Sequence, residues 1–394
     1  MIEGKTLDKQ APVAFSVCEA YDEERLYQLL SEHFSRLGIN KEALAGKRVV
    51  VKPNLVRKAK PEEAVTTHPA VMSAVLRLLK EYSPASLILA ESPGGPFMEA
   101  PLRAVYNATG MTEAAKKNDV ELSFDTTYEE LSDPDGEICK AFDIISPVVT
   151  ADVIVNVCKL KTHALTLYSG AVKNYFGTVP GVRKFEMHSR FSDPTLFQHM
   201  IADLCAFHHR RSLCINIADG IVGMEGNGPS NGHPKTMGAL FTSLNAFNLD
   251  VAATHLMTLE GVEMLEDAKR RGFCAGSVSE LTLLGDDLNV KRVKTIEMPD
   301  SKKRSAVSLI TTICNGRLNR LLEPIPVVNK KKCVGCGECV RSCPQKTIVF
   351  TESKKKKKLA LIRHADCIKC YCCQELCPFD AIKIRKSAIF NVLE

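Results

Sequence analysis

The chain has 394 residues, 45% hydrophobic and 25% charged, with no tryptophan and a formal net charge of +6. That is the composition of an ordinary globular protein with room for two or three domains and at least one full core. The N-terminal residues lack a basic start followed by a long apolar run, and no apolar stretch approaches the roughly 18–20 residues that span a bilayer. A signal peptide and a membrane span are therefore not expected, and a cytoplasmic location is.

In chain order, β-branched runs alternate with helical patterns. VAFSV (13–17) reads as a strand, followed by a helix with Leu26, Leu29, Leu30, Phe34 and Leu37 at helical spacing. RVVVKPN is a strand entering a Pro-Asn turn, His68 to Tyr82 a helix, SLILAES a strand, and SPGGP the loop beyond it. ADVIVNVCKL, SLCINIADGIV and GALFTS are further strands with a buried character. Continuous apolar strands separated by helices predict an α/β domain, with a mostly parallel sheet covered by helices. The large domain should run over 1–322. Pro324 and Pro326 mark an extended connector over 323–332. The small domain follows over 333–387, and a tail over 388–394.

Polar residues stand where strands end: Lys52-Pro53-Asn54, Thr67-His68-Pro69, Glu91-Ser92, Lys159 to His163 and Asp219-Gly220. In a doubly wound sheet such ends line the ligand crevice, so their recurrence points to one shared site. The glycine-rich segment 220–229 is neither G-x-G-x-x-G nor a P-loop, so no dinucleotide or Walker phosphate site is supported. It is expected to be a loop, either plain surface or lying over the site with Glu225 as a ligand or base. Lys161, Lys173, Arg183 and Lys184 form either a solvated basic face or a pocket for an anionic small molecule, and lysines beside glycine turns favour the pocket. His163 and His188, neutral near physiological pH, would serve there as acid or base.

Seven of the 16 cysteines are scattered through 1–323, and nine crowd between Cys333 and Cys377, which points to metal rather than disulfides. Cys333, Cys336, Cys339 and Cys343 read C-x2-C-x2-C-x3-C-P, and Cys367, Cys370, Cys373 and Cys377 repeat that spacing. Three thiolates of each run wrap one 4Fe-4S cluster, and the fourth reaches the other. Cluster one would take Cys333, Cys336, Cys339 and Cys377, and cluster two Cys367, Cys370, Cys373 and Cys343. Cys372 falls outside the set as a packed free thiol. Zinc motifs seldom use this spacing. Residues 324–394 carry 15 Lys+Arg against 6 Asp+Glu, whereas the rest carries 37 against 40. No aromatic residues interleave Lys330 to Lys332 or Lys354 to Lys358, so a solvated loop beside anionic clusters is expected there and nucleic-acid binding is not.

The cysteine-rich region resembles the bacterial two-cluster ferredoxins over roughly residues 325–387, which implies a small α+β ferredoxin-like domain there. KPN, KLKTH, GAVKN-FG-VPG and DGI-GMEGNGP resemble the domain-of-unknown-function 362 family, whose members often end in such a module. A fainter likeness is to the lactate racemase family, carried by His163, Ser169-Gly170, Lys173, Pro180-Gly181 and His188. It implies a nickel-pincer nucleotide cofactor, with Lys173 its anchor, His188 a metal ligand, His163 moving protons and His68 a candidate second histidine. Three expectations follow. The first is an oxidoreductase whose two clusters send electrons to a substrate, cofactor or partner at Lys161, His163, Lys173, His188 and Asp219. The second is a redox carrier or maturation factor that docks a redox partner protein without its own turnover. The third is a racemase or epimerase with an additional metal or nucleotide-type cofactor in the large domain and regulatory clusters.

Overall fold

The computed structural model describes residues 7–302, 324–352 and 358–385. The expected boundary at 322, Cys314, Lys354 to Lys357 and the 388–394 tail lie outside them. The chain opens with β1 (Val13–Val17), α1 (Glu23–Arg36), β2 (Arg48–Lys52), α2 (Pro69–Glu81), β3 (Ser86–Leu89), α3 (Glu99–Ala108), α4 (Met111–Lys117) and β4 (Glu121–Leu122). Next come β5 (Tyr128–Ser132), β6 (Ala141–Ile145), α5 (Ser146–Val149), β7 (Val153–His163), β8 (Leu167–Ser169), α6 (Ala171–Asn174), α7 (Gly181–Arg190) and α8 (Pro194–Arg211). The large domain finishes with β9 (Leu213–Asn227), β10 (Asn231–Ser243), α9 (Ala246–Leu256), α10 (Glu263–Arg270) and β11 (Leu283–Gly285).

Its main sheet has the order β11-β1-β10-β9-β7-β2-β3-β4, with β8 added to β7. β9, β7, β2, β3 and β4 run parallel, while β10 is antiparallel to both of its neighbours. Alternate residues of the central strands feed two cores. Val49, Val51, Val155 and Ile217 pack with Leu26, Phe34 and Leu76 on one face. Val50, Ile154 and Ala218 pack with Phe197, Phe247 and Leu249 on the other. This double cover is why the strands read as continuous apolar runs. Caps fix where helices begin: Asp22 accepts from Arg25 N at 2.7 Å, and His68 from Ala70 N at 3.2 Å. No helix among the described residues is long and apolar enough to cross a membrane.

Lys159 to His163 form the buried C-terminal half of β7, at the strand end where they were expected, and the lysines are tolerated there because each meets an acceptor. Two expectations are corrected. The glycine-rich segment is not a loop over the site. It is the end of β9 and the turn into β10, held by ladder pairs down to Asn227 and Asn231. Glu225 faces Lys235 at 3.3 Å and accepts from Glu297 N, on the outer side of that hairpin. The connector is also shorter than expected, because Ile325–Val328 is a strand, β12, paired with β15 (Ile382–Arg385). Between them lie α11 (Glu338–Arg341), the hairpin of β13 (Ile348–Glu352) and β14 (Lys358–Ile362), and α12 (Cys372–Glu375).

Candidate functional site

The segments that follow β2 and β3, together with the end of β8, border a cavity of about 90 Å³. Its walls include Asn54, Glu91, Lys173, Asn174, Lys184 and His188, with Phe176 and Phe185 as the aromatic side. The remaining wall comes from the other end of the chain, as Cys372, Glu375 and Leu376 of α12 and the turn after it. Leu376 packs so close that a Cβ on Gly94 would lie 2.6 Å from its Cδ2. Polar contacts seat the small module beside the cavity. Asn231 donates to Gln374 O at 2.8 Å, Gln374 to Asn227 O at 3.0 Å, and Gln345 to Ser189 Oγ at 2.7 Å.

Each cation is held in place by its neighbours. Lys52, fully buried at the end of β2, pairs with Glu91 at 2.7 Å. Gly177 passes against that pair, and a Cβ there would fall on the Glu91 carboxylate and the Lys52 ammonium. Lys161 donates to Asn54 Oδ1 at 2.7 Å and Val65 O at 2.8 Å. Burial first, then Lys173 and Lys159, hold its pKa well below the usual lysine range. Lys184 donates to Ser92 O and, at 3.3 Å, to Ser92 Oγ, and burial brings it down to about 7.

Lys173 sits on α6, whose first turn is capped by Asp250. That carboxylate accepts from Ala171 N at 2.8 Å, Val172 N at 2.9 Å and Tyr168 OH at 2.8 Å. Gly170 is required there because a Cβ would strike the Tyr168 hydroxyl and Asp250. Burial lowers the Lys173 pKa against the opposing pull of Glu375 and Cys372. Amides continue the wall inward. Asn54 donates to Asn174 Oδ1, Asn174 to Asn156 Oδ1, and Asn156 to Asn216 Oδ1, at 2.7–3.0 Å.

Both candidate histidines are held neutral. His188 stacks on Phe197 at 4.3 Å, and burial, then Lys173 and Lys184, bring its pKa to about 3. His163 accepts from Leu165 N at 3.1 Å through Nδ1, and its Nε2 lies 3.3 Å from Glu375 Oε1 without hydrogen-bond geometry. Both of those atoms are buried and unpartnered among the described residues. Burial, then Lys173 and Lys161, push His163 well below its usual value. A buried histidine nitrogen and a carboxylate oxygen, both unpartnered and face to face, are groups poised to receive a ligand or a proton.

Of the five predicted residues, Lys173 and His188 line the cavity. Lys161 and His163 reach it through Asn54 and Glu375. Asp219 is not among its lining residues but belongs to a second buried network. It pairs with Lys159 at 2.7 Å, accepts from Tyr21 OH at 3.0 Å and from His68 N at 3.0 Å, and Tyr21 stacks on the His68 ring at 3.6 Å. His68 therefore stands with Asp219, apart from His163 and His188. Sequence reasoning missed Glu375, Leu376 and Asp250 as parts of this site.

The cysteines of the small module lie near one another. After burial, Cys377, Cys336 and Cys333 are what push the Cys339 thiol up to about 11. Cys373 is pushed well above its usual range by burial and then by Cys370, Cys367, Cys339 and Cys343. Thiols crowded in this way suit 4Fe-4S ligation, and Cys339 lies near members of both expected sets. Tetrahedral zinc at about 2.3 Å from sulfur would draw thiolates to about 3.8 Å of one another. No group of three His, Cys, Asp or Glu side chains among the described residues converges to hold a single metal ion, in either domain.

A family model described as a domain of unknown function (DUF362) matches residues 49–255, and one described as a 4Fe-4S dicluster domain matches 332–381. A thylakoid-associated protein of Synechocystis sp. is 30% identical over 223 residues, 55% of this chain and 64% of that one, so less than two thirds of the relative is spanned. An uncharacterized ferredoxin of Methanocaldococcus jannaschii is 34% identical over 59 residues, 15% of this chain and 75% of its own. Among solved structures, the lactate racemase apoprotein of Thermoanaerobacterium thermosaccharolyticum is a weak neighbour. It shows a TM-score of 0.36 and 14% identity, covering 60% of this chain and 55% of that chain. With more than half its length matched, the chain belongs to the DUF362 family and carries a 4Fe-4S dicluster domain at its C-terminus.

Proposed function

We propose that this is an iron-sulfur oxidoreductase in which two 4Fe-4S clusters supply electrons, one at a time, to a small anionic molecule held in the cavity. The observation that carries this reading is that α12 and the turn after it, between Cys372 and Leu376, line the same cavity as Lys173, Lys184 and His188. When bound, the clusters supply one-electron chemistry at low potential. The residues of the chain do the rest. Lys173 and Lys184 attract and orient the anion, Asn54 and Asn174 offer amide contacts, and Phe176 and Leu376 exclude water. His163 and His188, neutral across the physiological range, can accept a proton or pass one on.

The test is reoxidation of the dithionite-reduced protein by a panel of small carboxylates and oxyanions, followed by visible cluster absorbance without oxygen. A lysine about 4 Å from an anion at a partly buried site is worth about 4 kcal/mol before desolvation is counted. Lys173→Ala should therefore slow reoxidation by the active anion about a hundredfold, with iron content unchanged. An equal rate in wild type and Lys173→Ala, or no anion that reoxidises the wild type, refutes the reading.

A further inference from the structure

The two cysteine loops of the small module have opposite surroundings. The second, ending in α12, is turned against the large domain and walls the cavity. The first, from Cys333 to Cys339, faces outward. Among the described cysteines, Cys336 is the exposed one, and Val334 beside it is 50% exposed. The β13–β14 hairpin lies directly against this loop. A Cβ on Gly335 would sit 2.6 Å from the Lys358 carbonyl oxygen, and one on Gly337 would sit 3.1 Å from both Phe350 Cζ and Arg341 Nη1. The Phe350 ring is 39% exposed, with the Lys358 ammonium 3.7 Å above it.

The result is an apolar centre around a predicted ligand thiol, rimmed by exposed Arg341 and Lys358 and flanked in sequence by exposed Lys331 and Lys332. The nearby acids are few. Glu338 is engaged with Arg341 at 2.6 Å, Glu352 stands opposite Lys358 in the ladder, and Asp380 is engaged with Lys332 at 2.7 Å. Arg341 and Lys332 are thus ion-paired, while Lys331 and Lys358 have no ion pair among the described residues. An apolar patch edged by such uncompensated cations is the anatomy of a transient, electrostatically steered interface.

We infer that this face is the docking site of an acidic one-electron carrier protein, which hands its electron to the module at Cys336, the end remote from the cavity. The transfer balances simply: the carrier is oxidised by one electron, the cluster held by Cys333, Cys336, Cys339 and Cys377 is reduced by one, and no bond or proton moves. The inference extends the proposed relay to its entrance but uses none of the cavity residues.

The probe is a purified, oxidised, acidic two-cluster ferredoxin, titrated calorimetrically into the anaerobically purified holoprotein at low and high salt. Saturable binding that weakens with salt is expected, and Lys331→Glu with Lys358→Glu should weaken it about tenfold at low salt. The same pair should strengthen binding of a basic haem carrier, so a gain is predicted as well as a loss. Unchanged iron content and visible spectrum show that the variant keeps its clusters, and Lys358→Gln serves should it lose them, with a smaller weakening expected. Affinity that ignores both salt and charge reversal, or a basic carrier preferred by the wild type, overturns the proposal. Neither outcome touches the cavity reading, because chemical reduction and the Lys173→Ala comparison bypass this face.

Discussion

Asp250 gives the sharpest quantitative test of how the site is built. It lies on α9 with no solvent exposure and holds the first turn of α6, the turn that carries Lys173, through three hydrogen bonds of 2.8–2.9 Å. Burial nonetheless pushes its carboxyl up from 3.8 to about 7. A carboxyl that titrates higher in the folded state binds its proton more tightly there. Its contribution to stability is thus complete below about pH 4 and lost as the pH climbs to about 7. Between pH 5 and 8 the loss is about 3 kcal/mol, at 1.36 kcal/mol for each pH step below the folded pKa. Asp250→Asn has no such proton, so the difference between variant and wild type should move about 3 kcal/mol in the variant's favour over that range. Asp250→Ala leaves three buried donors without an acceptor and should cost about 3–5 kcal/mol at pH 5, and because it too lacks the proton, about 3 kcal/mol less than that at pH 8. Hydrogen exchange at the Ala171 and Val172 amides reads both effects in the intact holoprotein, avoiding the assumption of two-state unfolding for a cofactor-bearing chain. A difference between Asp250→Asn and wild type that is the same at pH 5 and pH 8 would refute the reasoning.

Other perturbations follow from the same geometry. Anion binding at the cavity should weaken as the pH rises through about 7, where Lys184 loses its charge, and Lys184→Met should flatten that profile in a titration with the active anion. Gly177→Ala forces a methyl onto the buried Lys52–Glu91 pair, and should lower stability by about 1–3 kcal/mol in thermal unfolding. Breaking the Lys159–Asp219 pair with Lys159→Met strands a carboxylate at 0% exposure, at a cost of about 3–5 kcal/mol. Cys372→Ser should leave the iron content unchanged, because Cys372 stands outside both ligand quartets.

The legible parts of the sequence were those set by short-range pattern. Period-3.6 apolar spacing gave α1, β-branched runs gave β2 and β7, and the cysteine spacing gave the 4Fe-4S dicluster domain, because each depends on residues close in the chain. Lys159 and Lys161 were legible as residues of a strand end, but their burial was not, because lysine normally marks the surface. What permits them inside β7 is Asp219 at a separation of 60 residues and Asn54 at 107. The segment 220–227 looked like a loop because of its glycines, yet they serve close packing: at Gly223 a Cβ would come within 2.6 Å of Leu160 O. Glu375 carried no signal at all, since its meaning arises only when the module folds back to set it 3.3 Å from His163. Asp250, read alone, is a polar residue in an apolar helix, and its partners lie 78–82 residues away.

The central claim is that two iron-sulfur clusters are present and that one of them borders the cavity. Anomalous X-ray scattering at the iron edge, from crystals grown without oxygen, tests it most directly. The account predicts two groups of four irons, one beside Cys343, Cys367, Cys370 and Cys373 next to the cavity wall, and the other beside Cys333, Cys336, Cys339 and Cys377 under the outward face. Isolated single metal atoms at the cysteines, or a lone four-iron group far from Glu375, would contradict it.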